Sequence, residues 1–222
     1  MSDASQIASV PIWVETLSKL AIPAIAFVGA IYTVRQFQRA RRWRAGDLAV
    51  AMISQLETDD ELAFACRAID WGVGPLIVPK RYRVLVESKP EDEKNPTPAE
   101  RGEIVIQTPE LMVRALRVQL SIDPEAEPIG LVYRYCFDKL FDHLANVNRL
   151  LIEQQLNLKD LERLRYWLKR IAIYEYCPPG VKKHEVFQPF LEHEPYGYRG
   201  VIDLGERLGV VGWVKAWQAH DA

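Results

Sequence analysis

Apolar residues run without a charge from Leu20 to Val34 and stop at an arginine cluster, Arg35, Arg39, Arg41, Arg42 and Arg44, with no acidic residue among them. An apolar helix closed by arginines has the pattern of a membrane span whose C-terminal end stays in the cytoplasm. The uninterrupted run is 15 residues, about 22 Å of helix and short of a hydrocarbon layer about 30 Å thick. Starting the span at Glu15 gives 20 residues and about 30 Å. Ile12, Trp13 and Val14 then lie at the outer interface, and Lys19, one turn from Glu15, is shallow enough for its stem to lift the ammonium to the headgroups. A cleaved signal peptide fits poorly, because the positive charge follows the apolar run and the first 14 residues carry only Asp3 as a charged side chain. A buried soluble helix is the other reading, and the arginine cluster argues against it.

Downstream the periodicity predicts a mainly α chain. The membrane helix continues as a stalk to Gly46, and a second helical segment covers Asp47 to Leu56. Thr58 opens a capping box, Thr-Asp-Asp-Glu, for a helix that Gly72, Gly74 and Pro75 stop. Tyr82–Val86 reads as a short edge strand, with Glu103–Gln107 returning against it in a small β-hairpin. Residues 88–102 hold three prolines and several charges and read as a mobile loop. Thr108-Pro109 starts a helix to about Leu120. Two long helices follow, Ile129–Leu156 and Leu158–Tyr176, with Asn157 as the cap between them, and form a helical hairpin as the core. Short helices at Val186–Glu192 and Ile202–Leu208 complete the chain. The expected organisation is a short outside N-terminus and transmembrane helix over 1–34, a basic stalk over 35–45 and a cytosolic helical domain over 46–222. Its place is the inner (plasma) membrane, crossed once.

Charge and cysteines sharpen this picture. The net charge is −2, of which the arginine cluster contributes +5, leaving −7 on the rest. An acidic body argues against general nucleic-acid binding, while a basic collar suits anionic lipid headgroups. Cys66, Cys136 and Cys177 are odd in number and scattered, the pattern of reduced thiols with neither a disulfide framework nor a zinc site. Ala26, Gly29, Ala30 and Thr33, at i, i+3, i+4 and i+7, form a small-residue stripe along which two membrane helices can approach closely, so a homo-oligomer is expected.

Catalytic chemistry is thin. His184-Glu185 opens like a zinc-protease motif, but Gln188 stands where the second histidine belongs. His184 and His193 could join only in a looser metal site. Asp138, Asp142 and His143 lie within two turns of one helix and could form an acid/base pair, although packing accounts for them as well. No phosphate loop or nucleophile elbow is present, so neither a catalytic residue, a metal nor a cofactor is expected.

The stretches VRQFQRARRWR, CRAIDW and FDKLFDHL resemble uncharacterised bacterial proteins that join one N-terminal membrane helix to a small helical cytosolic domain. The layout is also similar to membrane effectors of phage-defence systems, including small ones that accompany RNA-targeting CRISPR nucleases. Their domains often carry Arg-x4-6-His, which this chain lacks, Arg134 and His143 being too far apart. The resemblance implies a non-enzymatic, membrane-anchored interaction or effector protein, with antiviral defence as its setting. The alternative is a membrane-tethered hydrolase or nuclease using Asp138, Asp142, His143, His184 or His193.

Overall fold

The computed structural model describes residues 12–87, 97–116, 128–183, 186–193 and 197–210, and of 12–24 the backbone alone. The described residues are mainly helical, 69% helix, with a small two-stranded antiparallel sheet. The chain divides into two compact units, Met1–Ala45 and Gly46–Ala222.

Helix α1 (Ile12–Thr58) is 47 residues long and does not break at Gly46, where the sequence reading ended the stalk. A regular helix tolerates glycine at a modest cost in backbone entropy, so a lone Gly without proline or a capping residue is a weak stop. In the first unit every described side chain from Ile25 to Arg44 is exposed. Among the described residues no helix is long and apolar enough to cross a membrane. The side chains from Glu15 to Ala24, the first half of the expected span, lie outside the described ones.

In the second unit the last turns of α1 bury Ala49, Met52 and Leu56. The Thr58 hydroxyl donates to the Ser54 carbonyl at 3.0 Å, so Thr58 belongs to α1 and does not cap the next helix. Asp59 takes that role for α2 (Asp60–Asp70), its carboxylate accepting from the Glu61 and Leu62 amides at 3.0 and 3.2 Å. A carboxylate also favours the positive end of the helix dipole.

Strand β1 (Gly74–Ile77) pairs antiparallel with β2 (Ile104–Gln107), Gly74 opposite Gln107 and Ile77 opposite Ile104. The predicted strand Tyr82–Val86 is instead a 3-10 turn, Lys80–Tyr82, running into α3 (Arg83–Val86). Tyr82 is the reason: it is buried and stacks on Tyr135 with ring centres 5.6 Å apart, while its amide donates back to the Pro79 carbonyl. The sheet is therefore not a tight hairpin, since α3 lies between its strands. Of the expected loop, 88–96 lies outside the described residues. Residues 97–102 form a bonded turn in which Thr97 and Glu100 each accept from the other's amide, at 3.3 and 2.6 Å.

Helix α4 (Pro109–Ala115) starts as the sequence predicts, Thr108 accepting from the Leu111 amide; the expected end at Leu120 lies outside the described residues. Helix α5 (Pro128–Ile152) carries the main buried stripe, including Val132, Cys136, Leu140, Leu144 and Val147. Just past its end the chain turns at Gln154, whose φ is 58°. The Gln155 amide donates to Leu150 and that of Gln154 to Leu151, the two bonds of a Schellman cap. A 3-10 turn, Leu158–Leu161, then leads to α6 (Leu164–Ala172), with α7 (Gln188–Glu192) and α8 (Arg199–Arg207) after it. The expected long hairpin does not form. The Asn157 side chain bonds Asp160 at 3.0 Å and caps no backbone amide, α6 is only nine residues, and α6 packs on α2 and α8 while α5 packs chiefly against those same two helices.

Two glycines give opposite expectations. A Cβ at Gly46 meets nothing within 4 Å, whereas at Gly102, with φ +65°, it runs into the Arg83 carbonyl oxygen. Gly46→Ala should stabilise the protein by about 0.5–1 kcal/mol and Gly102→Ala destabilise it by more than about 1 kcal/mol. Thermal melts of the two variants in one buffer should shift in opposite directions, and equal shifts would contradict both assignments.

Candidate functional site

Where α1 ends and α2 begins, both face the middle of α5 across an open groove of about 560 Å³ whose lining includes Gln55, Asp59, Lys139, Asp142, His143 and Asn146. The helix cap and the groove are one construction. The Lys139 ammonium lies 2.7 Å from Asp59 and 3.4 Å from Glu61. Glu61 is almost fully buried and also receives Arg81 at 2.9 Å and the Tyr82 hydroxyl at 3.5 Å. Burial would raise the Asp59 carboxyl, but the bond from Lys139 and the α2 amides hold it below the ordinary carboxylate range. Burial would likewise lower Lys139, yet its two carboxylate partners hold the ammonium above its ordinary value. Asp59 and Lys139 are thereby each held in the charged form by the other.

The three groups that could form an acid/base pair are not bonded to one another, although Asp142 and His143 line the same groove. Burial lifts the Asp138 carboxyl, opposed by a 3.0 Å bond from the Tyr198 hydroxyl, and Arg134 approaches it at 3.7 Å while lying over the Phe190 ring. Asp138 thus fastens the start of α8 to α5. Asp142 lines the groove and burial raises its carboxyl. His143 turns to α1, its Nε2 3.0 Å from the Met52 carbonyl, so Nε2 carries the proton and donates. Among the described residues no hydrogen bond joins either aspartate to His143.

No group of three or more metal-ligating side chains occurs among the described residues. His193 follows α7 and is half-buried; His184, its expected partner, lies outside the described residues. The three cysteines are free thiols. Burial pushes Cys66 up to about 12, and Cys136 upward as well, far from the thiolate a nucleophile needs.

On the first unit Ala26, Gly29, Ala30 and Thr33 all lie exposed on α1, at spacings that place them along one stripe. Arg35, Arg39, Arg41, Arg42 and Arg44 are exposed on the same helix. The Thr33 hydroxyl donates to the Gly29 carbonyl at 2.8 Å and the Gln36 amide to the Tyr32 hydroxyl at 2.7 Å.

No protein-family model, curated protein or solved structure matches the chain.

One polar residue, Gln107, escapes the sequence reading because it closes an apolar run, and another, Glu61, expected as the reciprocal partner of Thr58 in a capping box, takes different partners. Glu61, in Glu-Leu-Ala-Phe-Ala, gathers Arg81, Tyr82 and Lys139. Gln107, closing Ile-Val-Ile-Gln, is fully buried and donates to the Ala68 and Trp71 carbonyls at 2.7 and 2.6 Å, satisfying carbonyls at the end of α2. For Gln107 a lone polar residue at a core position is the one sequence signal.

The groove makes stability depend on pH. Burial holds His143 below its ordinary 6.5, and the Met52 bond opposes this only in part. The unfolded chain takes its proton near pH 6.5, while the folded chain resists it until lower pH. The contribution is therefore complete above pH 6.5 and is lost as pH falls from there through the folded value. His143→Gln, which keeps a donor toward Met52, should show a flatter fall in the urea midpoint between pH 7 and about 5.5 than the wild type. Identical slopes would remove His143 from the linkage.

Proposed function

We propose that the chain is a single-pass, membrane-anchored, non-enzymatic interaction or effector protein that self-associates, in the antiviral setting that its resemblance in layout implies. One observation carries the reading: from Ile25 to Val34, α1 leaves its large apolar side chains in the open, with Ile25 71%, Phe27 69% and Val28 65% exposed. Contiguous apolar surface of that kind calls for a cover. A bilayer is the cover that suits it, because Thr33 and Tyr32 keep their polar groups in bonds within the helix, as a helix in lipid must. The arginines that follow are exposed and suited to anionic headgroups. The span is Glu15–Val34, its first half read from sequence. In the groove Lys139 is engaged by Asp59 and Glu61 and His143 by the Met52 carbonyl, which favours an interaction role over catalysis.

Topology is the first test. The arginine collar holds the C-terminus in the cytoplasm, so a C-terminal reporter active only outside it should stay silent while the protein sediments with membranes. A strong signal from that reporter, or a protein that stays in the supernatant, would overturn the anchor.

Self-association is the second. A Cβ at Gly29 meets nothing within 4 Å in the isolated chain, so Gly29→Leu fits the monomer and acts only where another helix approaches. It should reduce the oligomer of the detergent-extracted full chain without impairing insertion, leucine suiting lipid at least as well as glycine, while Val28→Leu should change little. Equal oligomer populations for Gly29→Leu and wild type would remove the stripe from the contact.

A further inference from the structure

The alternation of the antiparallel ladder determines which backbone groups of the sheet point outward. The Val78 amide donates to the Glu103 carbonyl at 2.9 Å, one step beyond the Ile77–Ile104 pair. Residues Val78, Leu76 and Gly74 therefore turn their backbone groups toward β2, and Ile77 and Pro75 turn theirs away. Pro75 agrees with this parity, having no N–H to give. By the same alternation Ile104 and Ile106 direct their N–H and C=O groups away from β1, and among the described residues none of these groups has a partner. Ile106 is 59% exposed. Natural edge strands are guarded by proline, charge or a bulge. The outer edge of β1 has Pro75, whereas among the described residues that of β2, Ile104-Val105-Ile106, has no proline, charge or bulge and only its shortness as a guard.

We propose that the outer edge of β2 pairs antiparallel with β2 of a second copy of this chain, about a twofold axis at Val105. This rests on the proposed self-association and gives it an interface in the second unit. The choice of a second copy comes from the strand being its own complement. Outward groups can meet only outward groups, and of the registers that allow this only the one centred on Val105 uses both isoleucines of each strand. It sets Ile104 against Ile106 of the partner subunit and Ile106 against Ile104 of the partner subunit, each pair exchanging both backbone bonds. The side chains of each pair lie on the exposed face, apolar against apolar. Glu103 falls opposite Gln107 of the partner subunit, so like charges do not face each other. An edge without charge or polar side chains at Ile104-Val105-Ile106 has nothing with which to select a different sequence.

The register is directly testable in the full-length chain. Co-expressed Ile104→Cys and Ile106→Cys chains place their thiols on opposed residues, within disulfide reach, whereas either variant alone sets its two thiols on a diagonal about 7–8 Å apart. Mild oxidation should trap a dimer from the mixture and several-fold less from either variant alone, with Cys66, Cys136 and Cys177 common to every sample. Ile106→Pro removes an outward amide that the β1–β2 ladder does not use, so it should preserve the circular dichroism melt and weaken association at least about tenfold. Trapping from the single variants equal to that from the mixture, or a folded Ile106→Pro with the wild-type oligomer population, would overturn the edge pairing and leave self-association standing. Should Ile106→Pro fail to fold, the cysteine mixture decides alone. A wild-type chain that stays monomeric at every concentration would overturn the self-association reading and the edge pairing together.

Discussion

The second unit depends on the burial that α5 demands. Its buried residues run Val132, Tyr133, Cys136, Phe137, Leu140, Phe141, Leu144 and Val147, an arc too wide for one neighbour to cover. Helix α2 closes one side, where Phe64 meets Tyr133 edge to face at 5.1 Å. Helices α7 and α8 close the other, where Phe187 and Phe190 at α7 and Tyr198 just before α8 gather around Phe141 at centroid distances of 5.5–6.1 Å. A buried phenylalanine in such a cluster is worth about 3–5 kcal/mol, which is ample reason for the turn-rich segment after Tyr176 to fold back onto the helix. The short elements near the C-terminus are therefore parts of the core.

Charge at the start of α2 works differently from this packing. Burying the Glu61 carboxylate costs free energy that its partners must offset, and such a network adds little to stability over an apolar replacement while being costly to break. What it supplies is position. Arg81 and Tyr82 bring the 3-10 turn to α2, and Lys139 brings α5 to the same cap. The groove beside this cap is therefore also a joint between helices, held by Asp59, Glu61 and Lys139.

How far the fold was legible in the residues follows from what kind of signal each element carries. Thr108-Pro109 is a local start with its own chemistry, and α4 begins there. Helix α5 shows a long apolar period and lies where that period predicts. The errors arose where two local signals competed. Thr58 and Asp59 both suit a helix cap, and the hydroxyl was already spent on Ser54. Tyr82–Val86 has strand composition, yet Tyr82 gains more from burial against Tyr135 than from a ladder. Leu158–Tyr176 looks like a second long arm because its apolar spacing is helical, but its first turn is a 3-10 turn, Leu158–Leu161, and the backbone leaves the helix at Ile173, so only Leu164–Ala172 forms α6. Of the candidate site residues, Asp138, Asp142 and His143 were correctly placed on one helix, whereas their different partners on α8 and α1 depend on contacts distant in sequence.

Symmetry constrains what the two proposed contacts can build together. Both the small-residue stripe on α1 and the outer edge of β2 are isologous, the same patch meeting itself across a twofold. If both twofolds coincide, each contact reinforces the other within one closed dimer, and the second closure is intramolecular and favoured by a high effective concentration. If the axes differ, every chain has two separate partners and the contacts alternate into an open row. A span running in one direction across a bilayer confines its twofold to the membrane normal, so a row can extend only in the membrane plane. For an effector the two outcomes differ in kind: a closed dimer is a fixed unit, whereas a row lengthens with surface density and acts only where copies are crowded together.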